Sequence, residues 1–481
     1  MPPSLESPQS VCSFGVAQGD VTPPVGIYHR MWGAAAHERS TGVHRPLMAA
    51  AAVIAPPGRP SEGVVLVTLD HCLFWDLECR RLLEAVAAKS GVDQERLLVA
   101  FSHTHAAGLM DGRRADRPGG ELIAPYLADL ADRVAALIVE AVARAGPATL
   151  CYANGRCDLA AHRDLYDEAS GRFVCGYNPE GPADDTVVVV RATDADGRTL
   201  ATLINYACHP TTLAWENTLI SPDFPGAMRE VVEQATGVPC LFLQGASGDL
   251  GPREGFVGDP AVADRNGRQL GYAALSALEG MPPPRTRFEF AGAVESGAVL
   301  GPWRHAPLDA DRLRDLEAWD LERWTVELPY RADLPTADAT RADRARWADE
   351  ERDALGCGDR ARAAECRAFV ERMDRQLIRI GELPPGPAFP FEVLTWKTGG
   401  AVWLAVKGEH YQHLQVELRR RVPGVPILVM TLVNGWQPGY LPTASSYDRG
   451  IYQAEIAVVG AGSLETLTDD IAVRISAWSP A

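Results

Sequence analysis

Long hydrophobic runs and an excess of positive charge are both missing from this sequence of 481 residues. Its longest purely apolar stretch, Leu47–Ala55, is too short to cross a bilayer, so we expect no integral membrane segment. The opening residues lack the basic segment and apolar core of a secretory signal. The 46 basic and 63 acidic residues give a net charge of −17. Such a charge repels phosphate backbones, so we expect no nucleic-acid partner.

The common cysteine, zinc-protease and serine-hydrolase motifs are also missing. None of the ten cysteines forms a C-x-x-C pair, and no HExxH segment occurs. Gly245–Asp249 (GASGD) lacks the spacing of a G-x-S-x-G nucleophile elbow. The absence of a signal segment predicts a cytoplasmic protein, in which the cysteines remain thiols. Cys208, next to His209, is the thiol whose chemistry most needs examination.

The apolar pattern predicts an α/β fold with mixed central β-sheets flanked by helices. Gly63–Leu69 and Leu97–Phe101 are continuous apolar runs typical of buried strands. The helical spacing of Asp76–Lys89 between them predicts a βαβ unit. Thr186–Arg191 and Thr199–Tyr206 flank DADG, which is a hairpin signal. Further strands are predicted at Cys240–Leu243, Val402–Val406 and Pro426–Val433, and further helices at Pro225–Ala235 and His410–Arg421.

A charged segment interrupts this pattern between Asp309 and Gly381. Arg, Asp, Glu and Ala dominate it, and acidic and basic residues are interspersed in stretches such as RADRARWADEERDAL. This arrangement is typical of solvated helices with i,i+4 ion pairs. We therefore interpret 309–381 as a helical insertion without chemistry of its own, within a single domain spanning 1–481.

Polar clusters directly follow four of the predicted strands. They are Ser102–His105, Ala207–Thr211, Gly408–Glu409 and Asn434–Tyr440. In open α/β sheets, ligands bind beyond the carboxyl ends of the strands. His103 and His105 are two residues apart, so an extended backbone would direct both to one face. Each residue alone has a structural explanation, such as a helix-stabilising carboxylate for Glu409. Their shared position at strand ends predicts a common site.

Taken in order, these clusters resemble the catalytic domain of the neutral/alkaline, non-lysosomal ceramidase family. The resembling segments are FGVAQGDVTPPVG, SHTH, NYACHPTTL, LQGASGDLGP, VKGEH and VNGWQPGYLPT, and they extend from about Phe14 to Tyr452. The resemblance implies the fold of that catalytic domain. It also implies a zinc-dependent hydrolase that cleaves an amide bond of an N-acyl amide by metal-activated water. The partner would be a small-molecule or lipid-like substrate.

The resemblance also assigns individual residues. The zinc ligands fall on four side chains: His103, His209, Glu409 and Tyr440. Nitrogen and oxygen ligands with room for water suit a catalytic zinc ion. The catalytic candidates are His105, at the position facing the scissile group, Tyr447, at a further active-site position, and Asp223, near the metal.

The sequence departs from the family at a catalytic serine. Family members carry this serine in a Gly-Asp-x-Ser-Pro segment, whereas Gly251 stands at its place here, and Ser247 lies four residues earlier. The missing hydroxyl favours direct attack by water over an acyl-enzyme. We also expect no counterpart of the family's secretion signal or C-terminal immunoglobulin-like domain, which argues against membrane-borne ceramide as the substrate. The alternatives are a zinc esterase, lactonase or phosphoesterase, or an inactive zinc-binding homologue.

Overall fold

The computed structural model describes residues 3–477, in which two large β-sheets pack face to face between helices. The larger sheet has eight strands: β1 (Gln9–Asp20), β2 (Met48–Ala55), β3 (Val64–Leu69), β4 (Leu97–Phe101), β5 (Gly146–Arg156), β6 (Thr186–Asp194), β7 (Thr199–Tyr206) and β8 (Cys240–Gln244). Their order across the sheet is β8-β7-β6-β5-β1-β2-β3-β4. The predicted α/β fold with mixed sheets is confirmed.

The smaller sheet has four strands, which lie side by side in chain order. They are β9 (Trp319–Pro329), β10 (Ala388–Thr398), β11 (Ala401–Val406) and β12 (Ile427–Met430). The remaining strands are short: Ser4–Leu5 with Thr286–Phe290 and Trp303–Pro307, Gly42–Val43 with Leu219–Ile220, Ala160–His162 with Leu250–Pro252, Asp164–Asp167 with Arg172–Cys175, Val294–Glu295 with Val299–Leu300, and Glu409–His410 with Tyr440–Leu441.

The α-helices of the described chain are α1 (Asp76–Ser90), α2 (Ile123–Ala143), α3 (Phe224–Thr236), α4 (Pro260–Glu279), α5 (Ala310–Asp315), α6 (Ala337–Gly356), α7 (Arg360–Gly381), α8 (His413–Arg421), α9 (Tyr452–Ile456) and α10 (Ser463–Ser476). Short 3-10 helices lie at Pro60–Glu62, Gln94–Arg96, Gly112–Arg114, Gly120–Leu122 and Ala444–Arg449. None of the helices within residues 3–477 combines the length and apolar character needed to span a membrane.

Alternating side chains of the strands build the layers. In β2, Ala51 and Val53 belong to the cluster packed against α1 and α2, whereas Ala52 and Ile54 face the smaller sheet. Helices α3 and α4 cover the other half of that outer face of the large sheet, and α8 and α10 cover the outer face of the small sheet. A strand buried on both faces has no polar side to alternate with, which explains the continuous apolar runs in the sequence.

Three parallel strand pairs interrupt the otherwise antiparallel large ladders: β3 with β4, β7 with β8, and β11 with β12. The first two lie at opposite ends of the large sheet, and the third lies in the small sheet. The segments 102–105, 207–211, 245–252, 407–409 and 431–440 all follow the carboxyl ends of strands in these pairs. This topology brings together the loops that the sequence analysis selected.

The charged segment 309–381 is not helical throughout, and this part of the prediction is wrong. Trp319–Pro329 forms β9, which pairs with β10 over its whole length. Its charged residues alternate with side chains that pack on the small-sheet core, such as Val326 and Leu328. The alternation of inward and outward residues was not recognised in the sequence, because acidic and basic residues make up the exposed face of this strand. The remaining elements of the segment are helical, as predicted: α5 precedes β9, and α6 and α7 form a helical hairpin after it.

The loop between β1 and β2 is fastened to the loop after β4 through a buried histidine. His29 Nε2 donates to the Ala106 carbonyl oxygen at 3.0 Å, and its Nδ1 lies 3.0 Å from His37 Nε2. Burial, together with the neighbouring His37, lowers the pKa of His29 to about 4. The neutral imidazole therefore belongs to the folded state.

Acidification is expected to weaken the fold through His29. The unfolded histidine has a pKa near 6.5 and the folded one a pKa near 4, so the unfolded chain binds the extra proton between these values. The stabilisation is complete above about pH 6.5 and is lost as the pH falls towards about 4, by up to about 1.4 kcal/mol per pH unit. Chemical denaturation of His29→Gln across this window should show a shallower pH slope than the wild type.

The exposed His305 supplies the control. His305→Gln should keep the wild-type slope. An unchanged slope for His29→Gln would show that this imidazole is not held neutral by the fold.

Candidate metal centre

The ligand candidates come from loops that follow different strands. His103 follows β4, His209 follows β7, Glu409 follows β11 and Tyr440 follows β12. Glu409 and Tyr440 are direct partners in a two-residue parallel ladder, which fixes their side chains next to each other. All four side chains are buried, with at most 6% of their surface exposed. The structure therefore brings all four predicted ligands to one place.

Three donor atoms of this cluster lie at mutual distances suited to one cation. His103 Nε2 is 2.9 Å from His209 Nε2 and 3.2 Å from Glu409 Oε2, and His209 Nε2 is 3.5 Å from the same oxygen. Ligands about 2.0–2.1 Å from a tetrahedral ion lie about 3.3 Å from one another. The three atoms thus have the spacing of ligands around a single ion.

The outer nitrogens of the two imidazoles are held by backbone oxygens. His103 Nδ1 lies 2.7 Å from the Cys72 carbonyl oxygen, and His209 Nδ1 lies 3.3 Å from that of Ser247. A carbonyl oxygen only accepts, so each Nδ1 must carry the hydrogen. In the neutral imidazoles the lone pairs of both Nε2 atoms then face each other across 2.9 Å. Two facing lone pairs repel unless a positive charge lies between them, and a metal ion fits this requirement.

The electrostatics of the cluster also favour one positive charge. Burial opposes the charged form of His103, but the adjacent Cys72 and Glu409 outweigh it and raise its pKa to about 10. Burial also opposes the Glu409 carboxylate, but His103 and the hydrogen bond from Trp436 lower its pKa to about 2. Burial, then the charges of Arg163 and His103, lower the pKa of His209 well below its usual value. The cluster thus favours one positive charge, carried here by a proton on His103. A metal ion would replace that proton.

Further side chains orient the carboxylate and the phenol. Trp436 Nε1 donates to Glu409 Oε1 at 2.5 Å, which leaves Oε2 for the imidazoles. Arg163 Nη2 donates to the Tyr440 hydroxyl at 3.1 Å, and the same guanidinium donates to the Gly248 carbonyl oxygen. Burial, with Glu409, raises the pKa of Tyr440 well above its usual value, against the opposing charge of Arg163. Tyr440 is therefore a neutral phenol whose oxygen is held at the cluster.

The backbone at His103 departs from the extended form that the H-x-H spacing suggested. His103 has a φ of 69°, in the left-handed region that is strained for a residue with a side chain. The strain is held by its amide, which donates to the His71 carbonyl oxygen at 2.9 Å, and by the Nδ1 contact with Cys72. The two histidines still converge, since His105 Nε2 lies 3.5 Å from His103 Nε2. Their convergence results from a turn and not from strand alternation.

His105 forms the more accessible side of the cluster. Its ring lies 5.1 Å from the Trp32 ring, and Trp32 in turn packs edge-on against Trp215 and Phe256. Trp215 is 39% exposed, so this aromatic rim reaches the surface. Burial, then His103, lowers the pKa of His105 well below its usual value, with smaller contributions from Arg163 and Arg375 and against the opposing charge of Glu409. A neutral imidazole thus lies between the donor cluster and the rim.

Cys72 offers a competing set of ligands, together with His103 and His105. Its Sγ lies 3.5 Å from His103 Nδ1, but that nitrogen is already engaged by the Cys72 carbonyl oxygen. A metal ion on this side would displace a 2.7 Å hydrogen bond, whereas the Nε2 side needs no such change. The geometry therefore favours His209 and Glu409 as partners of His103.

Two catalytic candidates make their contacts elsewhere. The Asp223 carboxylate is buried at the N-terminus of α3 and accepts from the amides of Leu213 and Phe224, at 2.9 and 2.6 Å. Burial raises its pKa to about 6. The Tyr447 hydroxyl donates to the Val459 carbonyl oxygen at 2.8 Å. These hydrogen bonds serve local structure and give neither residue a contact with the four ligand candidates.

Sequence reasoning also selected Cys208 and misjudged the setting of Glu409. The Cys208 thiol is fully buried, and burial raises its pKa well above its usual value, so it is an unreactive thiol. All ten cysteines are free. Glu409 lies in a two-residue strand before α8, which begins only at His413, so it does not stabilise a helix terminus.

Several residues of the site were missed from the sequence. Cys72 follows β3, the parallel neighbour of β4, so its position at the same sheet edge was a signal that could have been used. Trp436 lies within the selected segment Asn434–Tyr440, but its indole was not assigned a role. Arg163 lies outside every selected cluster, because it follows a short strand that the apolar pattern did not reveal.

Helix α7 covers one side of these loops. Arg379 packs its guanidinium 5.2 Å from the centre of the Trp436 ring, and its carbonyl oxygen accepts from Gln437 Nε2 at 2.9 Å. Arg375 donates to the Met31 carbonyl oxygen, next to Trp32. The segment interpreted as having no role in the chemistry thus contacts both the ligand-orienting tryptophan and the rim beside His105.

Comparison with known proteins finds similarity to ceramidases. The family model described as neutral/alkaline non-lysosomal ceramidase, N-terminal, matches residues 13–240. The neutral ceramidase of Pseudomonas aeruginosa is 26% identical over 257 residues, which are 50% of this chain and 37% of that protein. The neutral ceramidase of Oryza sativa subsp. japonica is 24% identical over 262 residues, or 49% of this chain and 31% of that protein. The matched region thus spans about a third of these curated relatives.

The fold similarity extends further along the chain. The crystal structure of neutral ceramidase from Pseudomonas aeruginosa matches with a TM-score of 0.63 at 17% identity, covering 99% of this chain and 76% of that one. A ceramidase structure described as complexed with C2 gives the same values. The chain is therefore similar to the neutral/alkaline, non-lysosomal ceramidases, in sequence over its first half and in fold over nearly its whole length.

Proposed function

We propose that this protein is a zinc-dependent hydrolase that cleaves the amide bond of an N-acyl amide with water as the nucleophile. The observation that carries the proposal is the pair of Nε2 atoms of His103 and His209, which face each other beside Glu409 Oε2. Their nitrogen and oxygen donors, with Tyr440 next to them, suit zinc. The relationship to proteins named neutral ceramidases supports the amide bond as the target.

The donor set fits zinc on chemical grounds. His103, His209, Glu409 and Tyr440 would hold the ion, and the Nδ1 hydrogen bonds of both imidazoles direct their lone pairs towards it. When bound, zinc lowers the pKa of coordinated water and polarises a carbonyl group. The remaining chemistry belongs to the side chains around it.

His105 is the residue best placed to assist the reaction. It is neutral because burial lowers its pKa, so one ring nitrogen carries a hydrogen that it can donate. Its Nε2 lies 3.5 Å from His103 Nε2, on the side open to the aromatic rim. A donor there stabilises the oxyanion that develops on the carbonyl oxygen, or protonates the leaving nitrogen.

The hydroxyl groups near Gly251 are engaged in hydrogen bonds, and this supports direct attack by water over attack by a side chain. The Ser247 hydroxyl is held at 2.6 Å by Gln244 Nε2, and that of Thr211 donates to the His209 carbonyl oxygen at 3.4 Å. A Cβ atom on Gly251 would have Arg163 and Thr211 as its nearest neighbours, at ordinary contact distances of 3.8–3.9 Å. The position therefore has room for a Cβ atom, and glycine itself offers no hydroxyl.

Zinc content is the first prediction of the proposed function. Protein purified without chelators should contain close to one equivalent of zinc, measured by mass spectrometry, and His209→Ala should lose it because a facing ligand is gone. His305→Ala, an exposed site, should keep the wild-type content. Protein that folds normally and binds no zinc even after incubation with the ion would refute the metal site.

Substrate class is the second prediction. The enzyme should hydrolyse N-acyl amines, and His105→Ala should lower kcat by about 10²–10⁴-fold, as expected for loss of a general acid or base, with zinc content unchanged. Turnover of p-nitrophenyl esters or phosphomonoesters without turnover of N-acyl amides would favour the esterase or phosphoesterase alternative. Stoichiometric zinc with no turnover of any of the three classes would favour an inactive homologue.

The absence of an acyl-enzyme is the third prediction. Pre-steady-state hydrolysis of an activated amide should show no burst of leaving group in the wild type, because Gly251 offers no hydroxyl. Gly251→Ser is a matched probe, since the space around this Cβ position predicts an unchanged melting temperature. A burst equal to the enzyme concentration in the wild type would overturn direct attack.

A further inference from the structure

Two arginines of α7 lie beside the site and form no ion pair with a carboxylate of the described chain. Arg163 also forms none, but its guanidinium is taken up by the Tyr440 hydroxyl and the Gly248 carbonyl oxygen. Arg379 is 4% exposed, and its side chain contacts Gln376 and the Trp436 ring. Arg375 donates to the Met31 carbonyl oxygen. In both, the buried Nε has no hydrogen-bond partner, and neither guanidinium forms an ion pair within residues 3–477.

A shortage of acidic residues does not explain these unpaired charges. The chain has 63 carboxylates for 46 basic residues. The charge of Arg375 helps to lower the pKa of Glu371, but that carboxylate is bonded to Arg114 and Arg367, at 3.0 and 3.2 Å. Asp374 pairs with Arg344. Arg372, less than one turn before Arg375, pairs with Glu455 at 2.8 Å.

The unpaired charges lie where a substrate would approach. Arg375 is fastened to Met31, and the adjacent Trp32 packs its ring 5.1 Å from the His105 ring. Arg379 covers Trp436, which donates to Glu409. Trp436 thus separates Arg379 from Glu409, whereas Arg375 lies on the His105 side, next to the Met31–Trp32 segment.

A buried cation without a partner is costly to a fold, because its desolvation is not repaid. Such a charge is therefore retained where a ligand supplies the opposite charge. Arginine is the side chain that best binds carboxylates and phosphates, through its planar fork of N–H donors. A zinc ion in the cluster would add further positive charge. Among the four ligand candidates, Glu409 alone carries a negative charge to balance it.

We propose that the substrate is an anionic amide, whose carboxylate or phosphate group is bound by Arg375 beside His105, with Arg379 adding positive potential. This inference rests on the proposed amide hydrolase and specifies its substrate class. N-acyl amino acids are the simplest substrates of this kind, since the carboxylate lies within a few bonds of the scissile amide. The aromatic rim of Trp32, Trp215 and Phe256 is then left for an apolar part of the molecule.

The test compares substrates that differ only in charge. N-octanoylglycine and N-octanoylethanolamine phosphate carry the anion, and N-octanoylglycinamide is the neutral match. The wild type should hydrolyse at least one anionic amide with a kcat/KM about tenfold or more above that of the neutral amide, as expected for a hydrogen bond to a charged group. The anionic substrate with the higher kcat/KM identifies carboxylate or phosphate as the group that the site binds.

Variants of α7 separate recognition from structure. Arg375→Gln should lower the kcat/KM of the anionic amide about tenfold more than that of the neutral amide, and Arg375→Lys should restore part of the preference. Arg372→Gln is the matched control, because the charge of Arg372 is already neutralised by Glu455. An equal loss on charged and neutral substrates in Arg375→Gln would assign Arg375 a structural role and overturn the proposal, as would a wild type that shows no preference.

The same ligands decide the matter if no amide is cleaved. Thermal shift in the zinc-loaded protein should then show stabilisation by N-octanoylglycine or the phosphate, none by the neutral amide, and loss of the shift in Arg375→Gln. Such binding without turnover would contradict the proposed hydrolase and support the anion site. Absence of any charge-dependent shift would refute the anion site independently.

Discussion

The 2.9 Å approach of His103 Nε2 and His209 Nε2 is the contact around which the rest of the site is arranged. Carbonyl oxygens hold the Nδ1 hydrogens of both rings, so the two lone pairs point at each other, with the Glu409 carboxylate beside them. Only a positive charge makes this arrangement favourable. The left-handed backbone conformation of His103 places its ring in this position, and the hydrogen bond from Trp436 orients the Glu409 carboxylate.

The topology explains how residues more than three hundred positions apart meet. Two parallel strand pairs lie at opposite ends of the large sheet, and the small sheet adds a third pair from across the sandwich. Asn434 links the sheets at this edge, because its side chain bonds the backbone of β4 at Val99 and Leu97, with distances of 2.7 and 2.8 Å. The loops beyond these strands therefore lie next to one another at the same edge of the two sheets, and α7 covers them.

The strands and the convergence of the four ligand candidates could be predicted from the sequence for the same physical reason. A strand buried on both faces must be apolar, so Leu97–Phe101 and Thr199–Tyr206 were predicted with their observed bounds, and the polar residues after them stood out. Trp319–Pro329 was missed because charges on its exposed side resemble those of a solvated helix. An exposed sheet edge and a solvated helix have similar compositions, and only the pairing with β10 distinguishes them.

Contacts between distant loops were beyond the sequence. Arg163 and Arg375 reach the site from segments with no apolar signal, so their roles became visible only once the loops were assembled. The hydrogen bonds of Tyr447 and Asp223, assigned to the active site through the resemblance, likewise depend on neighbours that no motif specifies. Motifs locate residues at a sheet edge, whereas the partner of each polar atom is decided by the tertiary structure.

X-ray absorption spectroscopy of the zinc-loaded protein tests the central claim most directly, because it reports which atoms surround the ion. If His103, His209, Glu409 and Tyr440 bind zinc, the spectrum should show nitrogen and oxygen ligands at about 2.0–2.2 Å and no sulfur. A sulfur ligand at about 2.3 Å would place the ion on Cys72. That result would contradict the account, because the zinc ion would then not lie between the Nε2 atoms of His103 and His209.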